Sequence, residues 1–352
     1  MSCTLAMIVR NEAGNLPDCL SSVRGLFNEV LIVDTGSSDG TVKIARQFGA
    51  RVLRFTWCDD FAAARNCALE RVRTSYVFRL DADDRLPPGH RKRLARILAG
   101  LPETKDVAFG FRVHSVEHTG QEVTCDEMRL FPSLPRLRFH GRVHERVHIV
   151  RDAPHVSLRR SDVRLEHVGY SDHGTYVAKL QRNLRLLELE QSGDPLVHFD
   201  LGRTLSALKL HDRALESLRT FLRLKHPAHD LAGTNAHRRI IEIHRDRGEY
   251  SAVMDALKAG LTEYPSDPLM VCWLADVMRA GGNHELARDG YELALRLYDP
   301  LRPVSGMAAD FRELTERALE ATKEAIRNTP VAISPPREPD PGHFSLAQLL
   351  SA

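Results

Sequence analysis

Over its first 80 residues the chain alternates short β-rich runs with amphipathic stretches, and such βαβα alternation argues for a parallel sheet with helices on both faces. Leu5 to Val9 reads as a strand, Leu16 to Val23 as a helix, Val30 to Val33 as a strand and Asp39 to Phe48 as a helix. Arg51 to Phe55 is then a strand, Phe61 to Val72 a helix and Tyr76 to Leu80 a strand. Sheets of this kind collect their ligands at the carboxyl ends of the strands, so the residues following each strand are where chemistry is expected.

Those residues are polar at three tips. Arg10-Asn11-Glu12 follows the first strand, Asp34-Thr35-Gly36-Ser37-Ser38-Asp39-Gly40-Thr41 the second, and Asp81-Ala82-Asp83-Asp84 the fourth. Three acids within four residues repel one another unless something positive sits among them. A hard divalent cation, which takes carboxylate oxygens together with substrate phosphates, meets that need. An isolated Asp-X-Asp before Pro87-Pro88-Gly89 would read as a solvated turn, and it is the strands before it that favour a site. In the second loop Gly36 and Gly40 permit tight turns, and Ser38 or Asp39 can cap the next helix. Capping does not explain Asp34 at the strand tip.

At 352 residues the chain has room for two domains, each with its own core. A formal charge of +2 gives no reason to expect nucleic acid, and Arg91-Lys92-Arg93 and Arg159-Arg160 read as solvated faces or local phosphate contacts. The six cysteines are scattered without a C-x-x-C pair, as expected of free thiols in a reducing compartment. No secretory signal and no apolar stretch long enough for a transmembrane segment is present, so a cytoplasmic location is expected, with peripheral membrane contact left open.

From Val107 to Val168 the pieces look antiparallel: Val107 to Val116, Glu122 to Phe131, Leu137 to Ile149 and Val163 to Val168. Beyond Tyr170 the pattern is wholly helical, which gives an α/β domain over 1–172 and an all-α domain over 173–327. The helical half repeats. Leu201-Gly202 with Ala214 aligns on Leu274-Ala275 with Ala287, and a middle unit fits through Gly248, Tyr250 and Pro265. The units begin near residues 195, 234 and 268, the last two 34 apart, with about five residues inserted around Pro227 to Gly233. The period resembles that of tetratricopeptide repeats, although the large aromatic near the start of each unit is missing, and an unrelated helical bundle is the alternative. The tail over 328–352, with five prolines between Asn328 and His343, is expected to be extended or flexible.

Taken together, Leu5-Ala6-Met7-Ile8-Val9-Arg10-Asn11-Glu12, Val33 to Thr41, Phe61-Ala62-Ala63-Ala64-Arg65-Asn66 and Asp81-Ala82-Asp83 resemble the family 2 glycosyltransferases of GT-A fold. Met128-Arg129-Leu130-Phe131, His140-Gly141-Arg142-Val143-His144-Glu145 and Glu166-His167-Val168-Gly169-Tyr170 continue the order. They are similar to a bacterial subgroup, including lipopolysaccharide-core and peptide S-glycosyltransferase-like proteins, in which helical repeats follow a Rossmann-like nucleotide-sugar-binding domain. The resemblance implies inverting transfer from a nucleotide sugar, usually a UDP-sugar, with Mg²⁺ or Mn²⁺ on the diphosphate, to a peptide, protein or glycan acceptor. It places Asp34 on the base, Glu12 near the nucleoside, Asp81 on the nucleotide side, Asp83 on the metal and Arg65 on the diphosphate. Pairing with Asp59 or Asp60 is the structural alternative for Arg65.

Displacement at the anomeric carbon needs a base for the acceptor, and Glu145 is the first candidate, with Asp126 and Glu127 behind it. If Arg138 to Ile149 were one plain strand, His144 and Glu145 would face opposite sides. Both reach a site only through a bulge or turn, which Gly141 allows. His144 and His167 are candidate metal contacts and Arg129 a candidate diphosphate contact; each has a purely structural alternative. Helical repeats bind peptides or mediate dimers, so a peptide or protein acceptor and a homodimer with a glycan acceptor are both open. Two other functions compete: a repeat-based interaction protein whose nucleotide-sugar domain does not catalyse, and a nucleotide-dependent oxidoreductase. The latter lacks G-x-G-x-x-G after the first strand, where Arg10-Asn11-Glu12-Ala13-Gly14 stands.

Overall fold

A computed structural model describes residues 1–116, 122–149, 156–169, 173–191, 193–299 and 311–328. The chain divides into two compact units, Met1–Ser192 and Gly193–Ala352.

In the first unit the strands are β1 (Cys3–Val9), β2 (Glu29–Asp34), β3 (Arg51–Arg54), β4 (Tyr76–Arg79), β5 (Asp84–Arg85), β6 (Val107–Val116), β7 (Glu122–Pro132), β8 (Leu137–His140), β9 (Arg146–Ile149) and β10 (Ser157–His167). The helices are α1 (Leu16–Ser22), α2 (Thr41–Gln47), α3 (Phe61–Leu69), α4 (Pro88–Ala99) and α5 (His173–Glu188). Eight strands form one mixed sheet in the order β3-β2-β1-β4-β7-β6-β10-β5. The expected parallel half is present: β1 lies between β2 and β4, and β3 extends β2. Of the later strands, β7 is antiparallel to β4 and β6, but β10 runs parallel to β6, where sequence alone reads only antiparallel pieces.

β5 closes this arrangement. Four strand spacings separate it from β4 in the order, roughly 19 Å in a flat sheet. The five Cα steps from Arg79 to Asp84 reach at most about 18 Å, and they include a turn in which the Asp84 amide donates to the Asp81 carbonyl. The sheet therefore curls, bringing the end of β10 back onto the acid cluster with His167 opposite Asp84.

One face of the sheet buries Leu5, Met7, Tyr76 and Phe78 with Leu16, Leu20 and Leu94 of α1 and α4. The other buries Ala6, Leu31, Val33 and Val77 against Ala62 and Ala68 of α3 and Phe139 of β8. Asn66 fixes that contact through bonds of 2.9 Å to both the amide and the carbonyl of Phe139. Leu137 to Ile149 is not one strand but a hairpin, β8 with β9, turned at residues 141–145 where Gly141 (φ +96°) and His144 (φ +54°) take left-handed conformations.

Among its described residues the second unit carries three helix pairs: α6 (Pro195–Ala207) with α7 (His211–Leu224), α8 (Asp230–Asp246) with α9 (Tyr250–Glu263), and α10 (Pro268–Ala280) with α11 (His284–Leu297); α12 (Phe311–Asn328) follows. Asp194 and Asp267 cap α6 and α10 through the amides of Leu196 and Met270. The inserted residues form a 3₁₀ turn at Pro227–His229 and an extra turn at the start of α8, which therefore begins four residues before the expected Thr234. The glycines and alanines of the repeat sit where helices touch. A Cβ on Gly202 would lie 2.5 Å from Leu218 Cγ, and one on Gly290 2.8 Å from Ala275 Cβ. Gly202→Ala should therefore destabilise the second unit by about 1–3 kcal/mol, read from its chemical denaturation midpoint. The proline-rich tail from 329 onward lies outside the described residues.

Candidate functional site

The tips of β2, β1 and β4 are neighbours, so the three polar loops meet. Asn11 (φ +55°) accepts the Ser38 amide at 2.8 Å and donates its own amide to Ser37 at 2.9 Å. The Glu12 amide donates to Thr41 Oγ1, while Asp39 accepts from the amides of Ala13 and Thr41. Asp39 thus ties two loops together as well as binding the first amide of α2. Asp34 is buried and accepts the Ser37 amide at 3.1 Å. Burial pushes the Glu12 carboxyl up, and the Asp83 and Asp81 charges add to that against the Asn15 hydrogen bond and Lys179. Glu12 and the acid cluster therefore share one electrostatic site.

Beside it lies a network of buried charge. Arg65 of α3 donates to Asp81 at 2.8 Å and to Glu145. Arg79, the last residue of β4, reaches Glu127 at 2.5 Å and Glu145 at 3.6 Å. Arg129 of β7, 2% exposed, meets Asp84 at 2.9 Å and both Asp81 and Glu127 at 3.2 Å. Burial opposes the charge on Asp81, but Arg65, Arg79 and Arg129 outweigh it and hold its carboxyl well below the usual range. Glu145 is likewise buried, and Arg65 and Arg79 hold it down.

Because the folded pKa of Glu145 is the lower one, its stabilisation is complete above the unfolded value near pH 4.3 and is lost as pH falls through the folded value. Glu145→Gln should lower stability at pH 7 and soften the further loss below about pH 4. Acid titration of both proteins by circular dichroism checks this, and equal acid sensitivity removes the linkage.

Asp83 is placed differently. Burial raises its carboxyl, with Asp81 and Asp84 adding to the rise and His167 and Lys179 opposing it. Asp83, Asp84 and His167 offer three ligand atoms within 4.8 Å of one another, a set that includes neither Asp81 nor His144. Within it Asp84, fully buried, already accepts from His167 Nδ1 at 2.9 Å, from Arg129 and from the Asp81 amide. That is the pattern of a carboxylate that orients a ligating imidazole, whose ligand atom is then Nε2. His167 Nε2 stands 3.5 Å from Asp83 Oδ2, and a Cβ on Gly169 would fall 2.0 Å from that oxygen and 2.9 Å from that nitrogen. The space between carboxylate and imidazole is open only because residue 169 has no side chain. Carboxylate and imidazole together suit Mn²⁺, and Mg²⁺ if phosphate oxygens supply most of its shell.

The structure thus brings together Glu12, Arg65, Asp81, Asp83, Arg129, Glu145 and His167, with Asp34 at the adjoining strand tip. It does not bring in Asp126, which lies across β7 from Glu127 and pairs with Arg160 and, at 3.9 Å, Arg112. His144 occupies the turn of the β8–β9 hairpin. Arg65 pairs with neither Asp59 nor Asp60: Asp59 binds Arg185, and Asp60 caps α3 through the Ala63 amide. Arg79 and Lys179 belong to the site without a motif to announce them. An arginine ending an apolar strand was the available signal for Arg79; nothing in the sequence marks Lys179.

Residues 4–164 match the model described as glycosyl transferase family 2. A TPR repeat-containing protein of Synechococcus elongatus is 37% identical over 144 residues, 41% of this chain and 35% of its own length. The SPbeta prophage-derived glycosyltransferase SunS of Bacillus subtilis is 28% identical over 224 residues, 61% of this chain and 52% of its own length. The chain thus spans about a third to a half of the length of the curated relatives it matches. Among solved structures, the mannosyltransferase PcManGT of Pyrobaculum calidifontis, in complex with GDP-Man and Mn²⁺, overlaps 74% of this chain and 86% of its own at 18% identity and a TM-score of 0.38. Among the described residues no helix is long and apolar enough to cross a membrane.

Proposed function

From a family 2 glycosyltransferase domain of GT-A fold over residues 4–164, followed by tetratricopeptide-like helix pairs, we propose an active, inverting, metal-dependent enzyme that moves a sugar from a UDP-sugar to a peptide, protein or glycan acceptor. The observation that carries the proposal is the pair Asp83 and His167, facing each other across Gly169 beside the tips that bear Glu12 and Asp34.

Asp83 and His167 Nε2 would hold Mg²⁺ or Mn²⁺, which as a Lewis acid offsets the charge of a departing nucleoside diphosphate. Asp34 hydrogen-bonds the base, Glu12 faces the nucleoside and Asp81 the ribose side. Arg65 and Arg129 act by fixing Asp81 and Asp84, and Arg79 by holding Glu127 and Glu145, rather than by touching the donor, since each is buried among carboxylates. Glu145 is in the same position, its side chain 9% exposed and enclosed by Arg65 and Arg79, out of reach of an acceptor. Glu127 also meets two guanidiniums, Arg79 and Arg129, but its side chain is 36% exposed at the edge of the network, and the acceptor's proton falls to it. The helix pairs recruit the acceptor, since stacked repeats present concave binding surfaces.

A screen of nucleotide sugars for nucleotide release with Mg²⁺ and with Mn²⁺ tests the reading. Glu127→Gln should lower kcat by about a hundred-fold or more and leave UDP binding intact. UDP binding with no turnover on any acceptor would leave a non-catalytic interaction protein.

A further inference from the structure

We propose that Lys179 of α5, beyond the residues that match the family, is the side chain that grips the diphosphate of the donor, and that it makes metal and nucleotide binding mutually dependent. The inference rests on the donor reading above and adds a residue to it.

Lys179 is held in place from two directions. Its ammonium donates to the Gly169 carbonyl at 2.9 Å and stands 3.8 Å from Asp83 Oδ2, an ion-pair distance too long for a hydrogen bond. The helix that carries it is anchored away from the acids. Arg185, two turns on, takes both oxygens of Asp59 at 2.8 and 2.5 Å, Arg182 lies over the Phe61 ring at 5.0 Å, and Leu186 and Leu187 are buried. Lys179, Arg182 and Arg185 recur every three residues along one stripe of α5, so the ammonium is aimed at Asp83 by packing as well as by attraction.

The position is awkward for a metal alone. A divalent ion on Asp83 Oδ2 would place two like charges within roughly 6 Å of each other in a partly buried site. An anion that touches both removes the repulsion, and a diphosphate, with several charged oxygens, can take the ammonium by a charge-assisted hydrogen bond on one oxygen while others face the metal ligands. Uridine alone offers no such oxygens.

The test is calorimetry on the full chain with UDP and with uridine in Mn²⁺, and titration of Mn²⁺ alone followed by electron paramagnetic resonance. Lys179→Ala should weaken UDP binding about ten-fold or more, leave uridine within about two-fold, and leave Mn²⁺ alone unchanged or bound more tightly. Lys179→Arg should recover part of the UDP affinity, and Lys179→Met, which keeps the aliphatic stem, should behave as alanine does. Unchanged UDP affinity in Lys179→Met overturns the proposal. So does an equal loss for uridine, or weaker Mn²⁺ binding, because a lysine that merely props up the Gly169 carbonyl would damage all three. If the parent protein binds neither UDP nor uridine, the donor reading falls first and takes this inference with it.

Discussion

Asp83→Ala should reduce metal-dependent turnover of the donor to below about a hundredth of the parent rate while leaving the protein folded. The two halves of that expectation have separate causes. Asp83 supplies the carboxylate that faces His167 Nε2, so its loss removes one of two donor atoms positioned for a cation. It takes no part in the arginine network, and burial, with two acid neighbours adding to it, raises its carboxyl, so removing it ends the cost of burying that charge and leaves no guanidinium without a partner. Nucleotide release assayed with Mn²⁺, beside a thermal unfolding curve, measures both halves. Full activity in the variant would remove the metal assignment. Asp81→Ala makes the useful contrast: it strips a partner from both Arg65 and Arg129 and should lose stability as well as activity.

What could be read from the chain follows the range of the interactions. The parallel half of the sheet and its helices are legible because period-two and period-3.6 patterns are local, and the placement of Asp34, Asp81 and Asp83 at neighbouring strand tips is legible because each follows directly on an apolar run. The parallel pairing of β10 with β6 is not, since an amphipathic strand looks the same in either direction. Leu137 to Ile149 reads as one piece in which Gly141 allows a bulge or turn, and the turn at residues 141–145 splits it into a hairpin. The meeting of His167 with Asp84 depends on the register of a two-residue strand, set by the curl of the whole sheet. Asp84 was visible as a third acid, but its work of orienting an imidazole was not. Arg79 and Lys179 are single basic residues, one ending a strand and one within a helix, and only folding reveals what they face.

The largest loss of stability should come from Arg129→Met, about 3–5 kcal/mol, the usual result of stripping a buried ion pair of one partner. Arg129 is the hinge of the network because it alone among its arginines touches Asp84, a carboxylate with no exposed surface. Methionine fills much of the volume, so the loss reads the abandoned charge and not a cavity. Asp84 keeps the Asp81 amide and His167 as donors, which offsets part of the penalty, while Asp81 and Glu127 keep Arg65 and Arg79. Denaturation of the first unit by urea, with its slope unchanged, gives the value. The double variant Arg129→Met/Asp84→Asn separates a charge effect from a packing effect, because neutralising the stranded carboxylate should return part of the loss. If the double variant is as unstable as the sum of the single ones, the two groups are not coupled and the network is not what holds the acid cluster at the end of β4.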